Sequence, residues 1–151
     1  MQRPTILVLE DMQIRVDWLR DAFPHATVVW LETVSDLMSS IAALGPFPPA
    51  LILLDHDLGL GASHMEDDGS VLLLDDGVSF PLDVNGNNGM HAVDMMPDSM
   101  KVVPMIVWSI NGPRAREMVA RLTERGFVTT HIPFTGDRMW QLRSAIATQV
   151  C

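Results

Sequence analysis

The residues best suited to chemistry are concentrated in one short sequence, Asp55-His56-Asp57, which follows the apolar run Leu51–Leu54. A short continuous run of leucine and isoleucine is typical of a strand in a parallel sheet that is covered on both faces. Open α/β sheets bind their ligands beyond the carboxyl ends of such strands. Two carboxylates and an imidazole at this point therefore predict a metal or phosphate site.

A second acidic pair, Glu10-Asp11, directly follows another apolar run, Thr5–Leu9, which predicts the first strand. If the two strands are neighbours in a parallel sheet, their carboxyl ends bring both acidic sequences to the same edge. Carboxylates that converge with little positive charge repel one another unless a divalent cation lies among them, and ligation by oxygen alone suits Mg²⁺ or Mn²⁺. We predict a metal site made of Glu10, Asp11, Asp55 and Asp57.

Further polar residues follow the predicted fourth strand. Ser109 and Asn111 are predicted to hydrogen-bond phosphate oxygens, and Arg114 adds a cation at the positive end of the next helix. Histidine is the side chain best suited to proton transfer at neutral pH, so His56 is predicted to be catalytic together with Asp55. Arg15 is a further candidate for phosphate binding, although an arginine on a helix more often is solvated or forms an ion pair.

The segments that must position these residues alternate between strand-like and helix-like patterns. Pro24 ends the first helical pattern, and Thr33 or Ser35 is suited to cap the second helix. Such alternation without hairpin signals predicts a doubly wound, five-stranded parallel sheet of the α/β class. The predicted strands are 5–9, 26–31, 51–54, 105–108 within 102–110, and 128–132, and the predicted helices are 13–23, 35–44, 89–96, 113–125 and 137–150.

One segment, residues 60–88, interrupts this alternation. Two apolar runs flank Asp75-Asp76-Gly77, and an Asp-Gly pair provides the positive φ that a tight hairpin turn needs. Long insertions in compact domains are often functional lids. The pattern predicts a β-hairpin after the third strand, close to the site.

Composition limits the class of protein. The chain has 151 residues, of which 48% are hydrophobic, so one domain spanning 1–151 can bury a substantial core. A formal net charge of −9 argues against binding to duplex DNA but allows a small nucleotide held through a metal ion. Short apolar runs and a single cysteine, Cys151, lead us to expect no membrane segment and a cytoplasmic location.

Several short motifs along the chain occur together in one known family. They are Leu9-Glu10-Asp11 with Arg15 and Trp18, Leu54-Asp55-His56-Asp57-Leu58-Gly59, Asn88-Gly89, Ser109-Ile110-Asn111 with Ala115, Arg116 and Met118, and Pro133-Phe134. Together they resemble the cyclic-phosphate-processing receiver-like family, a relative of two-component receiver domains. The resemblance implies a flavodoxin-like fold and the family's proposed activity, metal-dependent hydrolysis of cyclic phosphate bonds in nucleotides or RNA ends. It also implies metal binding by Glu10, Asp11 and Asp55, with His56 and Asp57 beside them and Ser109 and Asn111 on phosphate.

The sequence departs from both patterns that it resembles. Trp108 stands where the cyclic-phosphate-processing family has a histidine, which leaves His56 alone for acid–base chemistry. In phosphorylated receivers, an aspartate such as Asp55 accepts phosphate, a Ser/Thr such as Ser109 acts as a switch, and a lysine precedes a proline on the fifth strand. In this chain the residue before the corresponding proline, Pro133, is Ile132 rather than lysine. Two alternatives to a phosphodiesterase remain: a non-catalytic module that binds a nucleotide or protein, and a degenerate phosphoacceptor that uses Asp55.

Overall fold

Five parallel strands form the central sheet of the computed structural model, which describes residues 2–58 and 87–151. The strands lie in the order β2-β1-β3-β4-β5, so the predicted parallel sheet is confirmed and β1, β3 and β4 are neighbours. The strands are β1 Thr5–Leu9, β2 Thr27–Leu31, β3 Leu51–Leu54, β4 Met105–Val107 and β5 Thr129–His131.

Helices cover both faces of this sheet. The α-helices are α1 Gln13–Ala22, α2 Val34–Leu44, α3 Gly89–Met95, α4 Gly112–Glu124 and α5 Met139–Val150, with 3-10 helices at Asp98–Val102 and Gly136–Arg138. Of the two predicted caps for α2, Thr33 is the one observed, since its Oγ1 accepts a hydrogen bond of 3.0 Å from the backbone N–H of Asp36. The last helix starts two residues later than predicted, because residues 136–138 form a 3-10 turn.

Alternation along the strands divides the core into two layers. On β1, Ile6 and Val8 pack against α1 and α5, whereas Leu7 and Leu9 pack against α2, α3 and α4. The side chains that β3 and residues 6–9 of β1 contribute to the two layers are buried aliphatic groups, which is why both strands read as apolar runs in the sequence. The two layers hold the carboxyl ends of the strands at fixed positions.

The segment after β3 is described at its two ends only. The predicted hairpin, including Asp75-Asp76-Gly77, lies outside the described residues. Where the description resumes, Oδ1 of Asn87 accepts a hydrogen bond of 3.0 Å from the backbone N–H of Val34, at the start of α2. Asn88 caps α3, since its Oδ1 accepts from the backbone N–H of His91 at 3.0 Å. No helix in the described part of the chain is long and apolar enough to cross a membrane.

Candidate functional site

Four side chains form one row across the carboxyl edge of the sheet, one residue beyond the paired strands. The backbone ladder continues to this level: Asp55 donates to the carbonyl of Leu9 at 3.1 Å, and Trp108 donates to that of Leu54 at 3.0 Å. Because successive side chains of a strand point to opposite faces, the four side chains of this row point to the face of the sheet that α1 and α5 cover. From β1 to β5 it consists of Glu10, Asp55, Trp108 and Ile132.

Three of the predicted metal ligands come together at the β1 and β3 end of this row. Glu10, Asp11 and Asp55 each offer a carboxylate oxygen, and the three oxygens lie within 4.8 Å of one another. Hard oxygen ligands in this number fit Mg²⁺ or Mn²⁺, which keep several bound waters in addition to protein carboxylates. We call Glu10, Asp11 and Asp55 the acidic cluster. Asp57, the fourth predicted ligand, is not part of it.

Glu10 is held by hydrogen bonds on both of its carboxylate oxygens. Oε2 accepts from the backbone N–H groups of Asp11 and Met12, each at 3.1 Å, and Oε1 accepts from Nη1 of Arg15 at 3.1 Å. The indole of Trp30 donates to the Glu10 carbonyl at 2.7 Å. These bonds fix the turn between β1 and α1, so the carboxylate is oriented before any ligand arrives.

Arg15 is the buried cation of the site. It is 5% exposed, and its Nη1 lies 3.7 Å from Oδ1 of Asp55 in addition to its bond with Glu10. Its guanidinium stacks 5.2 Å from the ring centroid of Phe134. That ring is held by edge-to-face contacts with Trp18 and Trp108, each with a centroid distance of 5.5 Å. An aromatic frame therefore fixes Arg15 against the acidic cluster.

Burial and mutual repulsion raise the pKa of Glu10 and of Asp55. Burial raises the pKa of Glu10 to about 7, against the opposing effect of the Arg15 charge. Burial also raises the pKa of Asp55 well above its usual value, and the negative charge of Glu10 adds to that rise. The single positive charge of Arg15 therefore does not balance the negative charge of the ionised cluster. A divalent cation would relieve the remaining repulsion between the carboxylates.

His56 and Asp57 form a hydrogen-bonded pair beside the acidic cluster. His56 Nδ1 lies 2.7 Å from Oδ1 of Asp57, with the His56 side chain 4% exposed and that of Asp57 46% exposed. Burial acts to raise the pKa of Asp57, but hydrogen bonds from His56 and Asn111 and the charge of Arg114 lower it overall. Because Asp57 is then ionised, Nδ1 of His56 is the donor, and a neutral imidazole keeps Nε2 as an acceptor.

The predicted phosphate contacts Ser109, Asn111 and Arg114 lie around this pair. Ser109 is fully buried, and its Oγ accepts a hydrogen bond of 3.0 Å from the backbone N–H of Asn111. Oδ1 of Asn111 caps α4 by accepting from the Arg114 N–H at 3.4 Å. His131, for which the sequence indicated no role, has its Nε2 2.9 Å from the Ser109 carbonyl. The structure brings these residues together as the turn that supports Asp57.

Trp108 and Ile132 occupy the β4 and β5 positions of the row. The strand register places Trp108, rather than Ser109, level with Asp55, and Ile132 next to it. Trp108 is fully buried and its indole N–H has no hydrogen-bond partner among the described residues. Its burial and its edge-to-face contact with Phe134 make it a core residue.

Gly89 allows α3 to approach the site closely. Its backbone N–H donates to the His56 carbonyl at 2.8 Å. A Cβ at this position would lie 2.7 Å from Cα of His56 and 2.6 Å from Cε of Met118, and closer still to the Asp55 carbonyl oxygen. Only glycine fits here, which explains why Asn88-Gly89 opens α3.

Comparisons with solved structures identify the fold. No protein-family model matches this chain, and no curated protein matches it. The chain is similar in structure to the non-phosphorylated HemR receiver domain from Leptospira biflexa, with 19% identity, a TM-score of 0.61 and coverage of 99% of this chain and 97% of the other. It is also similar to a sensor protein from Polaromonas sp. JS666, with 13% identity, a TM-score of 0.62 and coverage of 99% and 97%.

A further similar structure is a CheY-like response regulator receiver domain from Methylobacillus flagellatus, with 11% identity, a TM-score of 0.54 and coverage of 96% and 99%. The chain therefore has the receiver-like, flavodoxin-like fold that the sequence predicted. At such identities the similarity establishes the fold, and function has to be argued from the site.

Proposed function

We propose that this chain is a receiver-like module that binds Mg²⁺ or Mn²⁺ at the acidic cluster and, through the bound ion, holds a phosphate-bearing small nucleotide or RNA end. The observation that carries the proposal is the approach of three carboxylate oxygens to within 4.8 Å at the ligand-binding edge of the sheet. Ionised, the cluster carries three negative charges against one on Arg15, which a divalent ion would neutralise.

Once bound, the cation would supply positive charge to phosphate oxygens, and the chain's own residues would position them. Glu10 would be held in place by its hydrogen bonds from the α1 turn. Asp11 is part of the cluster and less buried than Glu10 and Asp55, so it lies on the side open to solvent. A ligand would therefore enter next to Asp11 and meet the metal with its phosphate end.

One residue of the row argues against phosphoryl transfer to Asp55. The receiver pattern has a lysine before the proline on the fifth strand, and this chain has Ile132 at that position of the row. The Ile132 side chain cannot stabilise a phosphoryl group by charge. This feature favours binding over phosphorelay.

The experiment that tests this function is calorimetric titration of 2′,3′-cyclic AMP and linear AMP into the protein, with Mn²⁺ and again with EDTA. We expect binding with Mn²⁺, loss with EDTA and loss in Asp55→Asn. Asp17→Asn, which changes an exposed carboxylate on α1, is the matched control and should bind as wild type does. Equal binding with EDTA would overturn the metal-dependent function.

A second candidate function, hydrolysis of a cyclic phosphate bond, rests on the His56–Asp57 hydrogen bond of 2.7 Å. A carboxylate that holds one imidazole nitrogen leaves the other to accept a proton from an attacking water. The bound metal would orient that water and polarise the phosphoryl oxygens. The 4% exposure of the His56 side chain requires the surrounding turn to open before a substrate reaches it.

Chromatography of the same mixtures separates the two functions. Formation of 2′- or 3′-AMP that depends on Mn²⁺ and disappears in His56→Gln supports hydrolysis. Binding without product, unchanged in His56→Gln, supports the non-catalytic module.

A further inference from the structure

Arg15 combines three properties that suit it to bind an anion. It is 95% buried, it stands beside the acidic cluster, and of its five N–H donors a single one has a hydrogen-bond partner among the described residues, Oε1 of Glu10. The contact with Asp55, at 3.7 Å, is an ion pair beyond hydrogen-bond distance. In the described part of the chain, the fully buried side-chain atoms without a partner are Trp108 Nε1 and Thr129 Oγ1, so the remaining nitrogens of Arg15 keep some contact with solvent and can meet a ligand.

The position of Arg15 compensates for what the row lacks. At the β5 end of the row, where the receiver pattern has a lysine, Ile132 is apolar and buried. Arg15 comes from α1 instead, and its Nη1 lies 3.7 Å from the Asp55 carboxylate. Phe134, two residues after Ile132, provides the ring that supports the guanidinium at 5.2 Å. A positively charged side chain is therefore present next to Asp55, although α1 supplies it rather than β5.

We propose that Arg15 is the anion-binding residue of this site: its guanidinium and the metal on the acidic cluster together bind one tetrahedral oxyanion, such as a phosphate group. The planar fork of arginine matches two phosphate oxygens, and its hydrogen bonds to an anion are stronger than those between neutral groups. The inference rests on the proposed metal site, because the oxyanion bridges the ion and Arg15. It assigns the phosphate end of the ligand to the α1 side of the sheet.

The test is a ³¹P NMR titration of inorganic phosphate into Mg²⁺-loaded protein, with Mg²⁺ affinity measured separately by calorimetry. In Arg15→Gln, phosphate affinity should fall at least about tenfold, the loss expected for a charge-assisted hydrogen bond. Mg²⁺ affinity should be retained or increase, because a competing positive charge has been removed from Glu10 and Asp55. If Arg15 were purely structural, Arg15→Gln would lower the affinity for phosphate and for Mg²⁺ alike.

Two further variants complete the design. Arg15→Lys keeps the charge and loses the fork, so it should fold and bind phosphate more weakly than wild type but better than Arg15→Gln; it also carries the test if Arg15→Gln does not fold. Arg20→Gln removes an exposed arginine from the same helix and should change neither affinity.

Phosphate affinity that is unchanged in both Arg15 variants, or a Mg²⁺-loaded wild type that binds no phosphate, overturns the assignment of Arg15 and leaves the metal site intact. A wild type that binds no Mg²⁺ overturns the proposed function itself.

Discussion

Arg15 and Glu10 form a buried ion pair, with Nη1 3.1 Å from Oε1, at the point where β1 passes into α1. The pair does not make the site neutral, because Asp11 and Asp55 converge on the same place. A buried pair with this excess of negative charge contributes little to stability by itself. Its value is positional: it fixes one carboxylate for a metal and one guanidinium for an anion.

Metal-free protein should lose stability as the pH rises from about 4.5 to about 7, because the pKa of Glu10 is raised from 4.5 to about 7. In that interval the folded protein keeps a proton on Glu10 that the unfolded chain has already lost, and stability falls wherever the folded state binds more protons. Asp55, whose pKa is also raised, acts in the same direction. Thermal unfolding in EDTA across this range measures the effect.

Glu10→Gln is the control for that measurement, since the amide keeps the shape and cannot titrate. Its unfolding temperature should change less with pH over the same interval. Identical pH profiles for wild type and Glu10→Gln would mean that Glu10 is ionised in the folded protein throughout, contrary to its buried position.

Metal binding should release protons near neutral pH. A cation that binds the acidic cluster must displace the protons that burial keeps on Glu10 and Asp55. Calorimetric titration of Mn²⁺ in two buffers with different ionisation enthalpies should give different apparent enthalpies, and the difference gives the number of protons released. In Glu10→Gln that number should be smaller. Apparent enthalpies that are equal in both buffers would show that the cluster is fully ionised before the metal arrives.

Gly89→Ala should destabilise the protein by about 1–3 kcal/mol, the usual cost of inserting a methyl group into a packed region. The new Cβ would lie 2.7 Å from Cα of His56 and close to the Asp55 carbonyl, so the end of β3 has to shift. Mn²⁺ affinity should fall together with stability. Gly136→Ala is the matched control, because a Cβ there meets nothing within 4 Å. Equal unfolding free energies for the two variants in urea would contradict the close approach.

Asp55 should not accumulate a phosphoryl group. Incubation with acetyl phosphate and Mg²⁺, followed by intact mass spectrometry, is expected to give unmodified protein, because Ile132 stands where the receiver pattern has the lysine that stabilises the phosphoryl group. A stable adduct that is absent in Asp55→Asn would restore the phosphoacceptor interpretation.

Much of the architecture could be predicted from the sequence because continuous apolar runs identify buried parallel strands. The bounds of β1 and β3 were predicted to the residue, and the order of β1, β3 and β4 explains why Glu10, Asp11 and Asp55 converge. Shorter elements were less accurate: β5 covers Thr129–His131 rather than 128–132, since the ends of an edge strand have few partners that define them.

The details of the site depend on register and on distant partners, which sequence patterns do not contain. The pairing of Leu54 with Val107 puts Trp108 level with Asp55 and places Ser109, the predicted hydroxyl, one residue further along the chain. Arg15 was a candidate for phosphate binding, but the sequence alone does not distinguish that role from a solvated or ion-paired helix arginine. Its burial depends on Phe134, which is close to it only in the folded chain.

The pairing of His56 with Asp57 could have been considered from their adjacency, but adjacency does not determine side-chain direction. The part played by Asn111 and Arg114 in lowering the pKa of Asp57 depends on where α4 begins relative to β3. The folded arrangement therefore links three of the predicted site residues to Asp57 as one hydrogen-bonded and charged group.

Mn²⁺ binding to wild type, Asp55→Asn and Asp17→Asn, followed by electron paramagnetic resonance of the free ion, tests the central claim most directly. Wild type and Asp17→Asn should bind one Mn²⁺ per chain with equal affinity. Asp55→Asn should bind at least about tenfold more weakly, because even the loss of a partner that only orients a metal ligand commonly costs that much. Wild type that leaves millimolar Mn²⁺ free, or Asp55→Asn that binds as tightly as Asp17→Asn, would contradict a metal site at Glu10, Asp11 and Asp55.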